Sequence, residues 1–216
     1  MTALLLKIKT IIAMMLVGLM AGTGLTAQKR DKSRHAGIMY TTGTQQAFPF
    51  NSADYTYDIR GIKAVMNLEA ARSGMFSFEV QAEPGVNRAT HQLLNEYFVQ
   101  PDFGPDYLDK REEYTKEKTI TEYVINIGFQ ARMNLSERIS FFMIASIGPM
   151  YSDTETERLA EGFAFSDIIA AGAAFRAGKM LFEIRPGLRH VSNADINFPN
   201  SGHNSTNIDF SVSYCW

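Results

Sequence analysis

The sequence predicts an all-β protein, an eight-stranded antiparallel transmembrane β-barrel of the outer membrane. Three observations predict it. Long segments alternate apolar and polar residues, an N-terminal leader precedes them, and an alternating strand ends on Trp216. Alternation marks a strand because successive side chains point to opposite faces. The segments exceed the ~5–6 residues usual in soluble strands and reach the ~9–11 needed to cross a bilayer at a tilt.

The leader comes first. Lys7 and Lys9 flank the start of the apolar run "TIIAMMLVGLMAG", which passes through "TGLTA" into "QKRDKSR". This positive, apolar, small-residue order predicts a signal peptide over residues 1–27, cut after Ala27. The rival reading is an uncleaved anchor, for which the run is short of the ~20 residues of a spanning helix. The single cysteine, Cys215, is too far away to be a lipidation site and has no partner for an internal disulfide. Residues 28–216 are then expected to form one barrel domain. A formal net charge of −2 without a basic stripe argues against nucleic acid as a partner.

Two weakly patterned strands are expected near 36–48 and 54–69. In "MFSFEVQAE", Phe76, Phe78, Val80 and Ala82 oppose Ser77, Glu79, Gln81 and Glu83. In "TITEYVINIGFQARM", Tyr123, Ile125, Ile127, Phe129, Ala131 and Met133 oppose Glu122, Asn126, Gly128, Gln130 and Arg132, with Val124 the exception. "ISFFMIASIGPMY" alternates less cleanly, and "FAFSDIIAAGAAFRA" is ambiguous in face. "KMLFEIRPGLRHVS" sets Met180, Phe182, Ile184 and Leu188 against Glu183, Arg185 and Arg189. "NSTNIDFSVSYCW" sets Ile208, Phe210, Val212, Tyr214 and Trp216 against Asn207, Asp209, Ser211 and Ser213. Turns fall at "RSG", "NLSER", "DTETER" and "AGK", and a charged stretch, "DKREEYTKEK", leads into the Thr119 strand.

A soluble barrel would turn its apolar faces inward, whereas a transmembrane barrel turns them to lipid and fills its interior with polar side chains. The leader, the strand lengths and the aromatic ending favour lipid. The ending resembles the C-terminal sorting signal of bacterial outer-membrane barrels, so the barrel assembly machinery of a Gram-negative bacterium is an expected partner. Phe129, Phe182, Ile184, Phe210 and Trp216 should therefore face lipid. Glu122, Arg132, Glu183, Arg185 and Asp209 should face the interior.

Candidate functional residues lie near the chain's end. His190 and Ser192 share parity with Phe182, Ile184 and Leu188, and Asn204 shares parity with Ile208 and Phe210. Positions two apart on one face are ~6–7 Å apart, so three polar residues converge on the apolar face at the ends of two sequential strands. Plainer readings exist: an interfacial histidine, turn-forming serine and asparagine, and "NFPNSG" as a simple loop. Asp195 and His203 fall in the loop, where parity gives no direction.

The stretch "HVSNADINFPNSG" resembles the His-x-Ser-Asn-Ala signature, followed by Asn-x-Gly, of the lipid A 3-O-deacylase family, the PagL-type outer-membrane esterases. The matching residues are His190, Ser192, Asn193, Ala194, Asn200 and Gly202. The resemblance implies a serine esterase acting on the 3-O-linked acyl chain of lipid A, with its site on the lipid-facing wall. Ser192 would be the nucleophile, His190 the general base and Asn193 an oxyanion donor, with Ala194 and Gly202 beside the substrate. Lipid A or lipopolysaccharide and the surrounding outer-membrane lipid would be its partners, with no cofactor. The four histidines show no metal-ligand spacing. The family pattern carries a glutamate where this chain has Asn204. That departure keeps two alternatives open: a non-enzymatic structural or lipid-binding barrel, and an esterase for another membrane lipid. The sequence does not choose between monomer and homodimer.

Overall fold

The computed structural model describes residues 33–216. The signal peptide expected over residues 1–27 lies outside them. Eight strands form in chain order: β1 (Arg34–Thr44), β2 (Tyr55–Ser73), β3 (Phe76–Leu93), β4 (Lys118–Asn134), β5 (Ile139–Ser152), β6 (Gly162–Ala177), β7 (Met180–Ser192) and β8 (His203–Cys215). Each pairs antiparallel with its sequence neighbours, and β1 pairs with β8, so the sheet closes without an edge. Closure satisfies every strand's backbone within the sheet, which a hydrocarbon surrounding demands.

The period-two pattern decides which side faces out. Ile184 pairs with Phe210 and Phe182 with Val212 on the outer wall, while Glu183 pairs with Ser211 between them and Arg185 with Asp209 beyond them, both inside. Phe129, Phe182, Ile184, Phe210 and Trp216 are 39–61% exposed, whereas Glu122, Arg132, Glu183, Arg185 and Asp209 are all buried. The apolar wall is thus turned outward, as in a transmembrane barrel. Among the described residues no helix is long and apolar enough to cross a membrane; strands of 11 to 19 residues supply the crossing length.

Buried charges inside the barrel are tolerable only when paired. Arg132 donates to Glu79 and Glu183. Arg185 joins Glu83 and Asp209, and Lys63 completes that group on Glu83 at 3.2 Å. Arg189 donates to Glu122 and to the hydroxyl of Tyr57, which itself donates to Glu122. The imperfect alternation of β5 also has a cause. Phe142 and Ile144 point inward, and Gly172 and Gly128 leave the space they fill: a Cβ on Gly172 would lie 2.5 Å from Phe142 Cζ.

Short connections at one end contrast with long ones at the other, where residues 45–54, 94–117, 153–161 and 193–202 link the strands. Several elements differ from the sequence pattern, β2 among them, which runs to Ser73 rather than 69. β1 stops at Thr44 rather than 48. β3 continues through Pro84, a residue that reads as a strand end, to Leu93. The charged stretch after Asp106 is helical over Tyr107–Tyr114, here α1: Tyr114 packs with Leu93, Val99 and Phe103, Lys110 and Arg111 donate to Phe103 O and Val99 O, and Asp109, Glu112 and Glu113 are exposed.

Candidate active site on the outer barrel wall

The last turn of β7 sets the site. Val191 points inward and is fully buried with Val124, Met150, Leu159 and Ala164. Its neighbours His190 and Ser192 must therefore project outward, and both are half-buried at the long-loop end of the wall. The packed Val191 anchors the backbone that carries them, so their placement does not depend on a mobile loop.

Across the ladder, His190 is the register partner of Asn204 on β8. Its Nδ1 lies 2.8 Å from Asn204 Oδ1. An amide oxygen can only accept, so Nδ1 carries the hydrogen and Nε2 keeps its lone pair. That is the tautomer of a general base. Ser192 pairs with Phe165 of β6. No hydrogen bond joins its hydroxyl to His190 among the described residues.

Gly202 closes the site from the loop side. Its φ is +73°, and an ideal Cβ there would lie 2.5 Å from Val191 O, 3.1 Å from His190 Cε1 and 3.6 Å from Ser192 Cβ. A side chain would fill the space between histidine and serine. Arg158 fastens this segment from the β5–β6 loop: its Nε donates to Gly202 O at 2.7 Å, and its carbonyl accepts from Gly202 N. The Arg158 guanidinium also lies 4.2 Å from the Tyr55 ring centroid.

The 193–202 loop is held from within. Asn193 is fully buried; its backbone N–H donates to Asn200 Oδ1 and its side-chain amide to Asn197 O, each at 2.7 Å. Asn200 in turn donates to Asp195 Oδ1. The backbone N–H and one side-chain N–H of Asn193 are thus engaged in shaping the loop. Ala194 and Asp195 follow with φ of 55° and 62°, which turns the chain away from the end of β7. Neither N–H is engaged in a hydrogen bond among the described residues.

His203, whose direction the sequence left open, points inside. It is buried, stacks on Tyr57 at 4.6 Å and meets Thr156 Oγ1 through Nε2 at 3.1 Å. Asp195 is exposed on the loop. The residue that sequence reasoning missed is Asp167 of β6, the register partner of His190 on its other side. Its parity with Phe163, Phe165 and Ile169 was the available signal, and only the ladder brings it to the histidine. Among the described residues no group of three or more His, Cys, Asp or Glu is disposed to hold a metal ion.

The comparisons bear on this arrangement. The family model described as lipid A 3-O-deacylase (PagL) matches residues 88–213, more than half of the chain and all of the site. The chain belongs to the lipid A 3-O-deacylase (PagL) family. No curated protein matches the chain at a significant level. Among solved structures it is similar to the outer-membrane enzyme PagL, at 14% identity over 82% of this chain and 97% of that one, TM-score 0.46. It is also similar to neisserial surface protein A (8%, 85% and 95%, TM-score 0.40) and to Ail of Yersinia pestis (9%, 86% and 97%, TM-score 0.41). The PagL assignment rests on the family match.

Proposed function

We propose that this PagL-family barrel is a serine esterase of the outer membrane that removes the 3-O-linked acyl chain of lipid A. The observation that carries the reading is the His190–Asn204 contact at 2.8 Å on the outer wall, with Ser192 beside it. A soluble hydrolase buries its nucleophile in a cleft. An enzyme for a membrane lipid needs it where acyl chains pass, and polar groups on a lipid face are otherwise costly. The site also lies at the long-loop end of the barrel, the extracellular end of outer-membrane barrels, where lipopolysaccharide resides.

His190 Nε2 takes the proton of Ser192 Oγ as that oxygen bonds to the acyl carbonyl carbon. The carbonyl oxygen becomes an oxyanion, and the unengaged backbone N–H groups of Ala194 and Asp195, two and three residues on from Ser192, are candidate donors to it. Collapse breaks the bond to the sugar oxygen, which leaves with the proton from His190. Water then hydrolyses the acyl-serine by the same path. Asn204 holds the tautomer. Asn193 and Asn200 act by fixing the loop that presents the donors, and Gly202 keeps the space between base and nucleophile open.

Asn204 is an amide where the family pattern has a carboxylate, which favours one second reading: a barrel that binds lipid A without turnover. Purified folded barrel incubated with lipid A in detergent decides between them. Release of a 3-hydroxy fatty acid by the natural chain, lost in His190→Ala, supports the esterase. Binding without release supports the alternative.

A further inference from the structure

The wall around His190 is a row of three. Asp167 on β6, His190 on β7 and Asn204 on β8 are register partners, one strand apart each. Directly paired residues on one face of an antiparallel sheet have Cβ atoms ~4.5–5.5 Å apart. The histidine thus has an amide on one side and a carboxylate on the other. Ser192 and Leu188 flank it along its own strand. Arg189, next to it, turns inward to Glu122.

Asp167 has no structural task that explains it. It sits on the apolar wall between Phe165 and Ile169, half-buried, and its Oδ1 is buried without a hydrogen-bond partner. Every charged residue facing the interior of β7 is ion-paired: Glu183, Arg185 and Arg189. A carboxylate on a lipid face with an unmatched buried oxygen costs stability. Ordinary sheet packing offers no return for that cost.

The chemistry of a serine–histidine pair asks a third group for two things. One is to fix the tautomer, and the other is to stabilise the imidazolium that forms as the serine attacks. Asn204 performs the first and, being neutral, cannot perform the second. We propose that in this chain the two tasks are divided: Asn204 orients His190, and Asp167, from the opposite strand, supplies the negative charge. This rests on the esterase reading above. Asp167 is a positioning residue that acts through His190 by charge across the ladder rather than through a hydrogen bond. The low dielectric of the lipid-facing wall makes such a charge count for more than it would in water.

The test is a double-mutant cycle between the two flanking positions, read as kcat and KM for lipid A hydrolysis by purified, heat-modifiable barrel. Asp167→Asn should lower kcat by about 10–100-fold with KM little changed, and Asp167→Glu should restore part of it. In an Asn204→Glu background, where the charge is already present at the other side, Asp167→Asn should cost less than about threefold. A merely structural role would cost the same in both backgrounds, and that result overturns the division of tasks. So does an unchanged kcat in Asp167→Asn. The rate at which a fluorophosphonate probe labels Ser192 gives the same comparison without lipid A. If the natural chain labels but releases no fatty acid, the lipid A reading fails while a labelling rate that depends on Asp167 still supports the inference. If Ser192 does not label at all, both fall.

Discussion

His190 Nδ1 and Asn204 Oδ1 lie 2.8 Å apart, on residues that face each other across the β7–β8 ladder. Because the contact is built into the register of two paired strands, it persists wherever the barrel is folded. Asn204→Ala would leave the imidazole N–H without its partner, at about 1–3 kcal/mol, or roughly 5–150-fold in turnover. Asn204→Glu should raise turnover above the natural chain, since a carboxylate both accepts the hydrogen bond and stabilises the imidazolium. Steady-state rates of the two variants check this. Equal rates for Asn204→Ala and the natural chain would remove Asn204 from the mechanism.

Gly202→Ala should damage the site without unfolding the barrel. The new Cβ would press on Val191 O and the edge of His190, at a backbone φ of +73° that disfavours a side chain. A 1 Å displacement of a reacting group costs about 100-fold in rate, so a loss of that order is expected in fatty-acid release. The heat-modifiable band should remain. Full activity in Gly202→Ala would show that the space between base and nucleophile is not used.

Interior charge predicts a different response. Arg185 is 3% exposed and bridges Glu83 at 2.7 Å and Asp209 at 2.6 Å. Arg185→Leu strands Asp209 inside the barrel and leaves Glu83 with Lys63 alone, and should cost about 3–5 kcal/mol. Urea titration of the folded band in detergent measures it. Phe182→Leu, a change on the lipid-facing wall, should shift the midpoint by much less. A similar midpoint for both variants would contradict the assignment of the charged face to the interior.

Much of this was legible in the sequence because a barrel strand writes its two faces alternately. Ile208 to Trp216 declared the outer wall, and Glu183, Arg185 and Asp209 the interior, before any pairing was known. Parity also placed His190, Ser192 and Asn204 on one face. Local pattern could not supply register. Asp167 lies 23 positions before His190, in a strand of small residues with ambiguous faces, and only the β6–β7 pairing sets them side by side. Helix α1 was hidden for a similar reason: its charged residues carry no apolar stripe, and Tyr114 finds its partners in Leu93 at the end of β3 and in Val99 and Phe103 of the loop. His203, expected in the loop, is the first residue of β8, and its inward direction follows from its pairing with Val191 and its stacking on Tyr57 of β2.

The central claim is that the Ser192 hydroxyl cleaves an ester of lipid A from the outer wall. Mass spectrometry of lipid A from Gram-negative cells expressing the natural chain or Ser192→Ala tests it most directly. The natural chain should yield lipid A lighter by one 3-O-linked hydroxyacyl group, and Ser192→Ala, folded to the same extent, should yield unmodified lipid A. Identical lipid A from both, at equal levels of folded barrel, would contradict the claim.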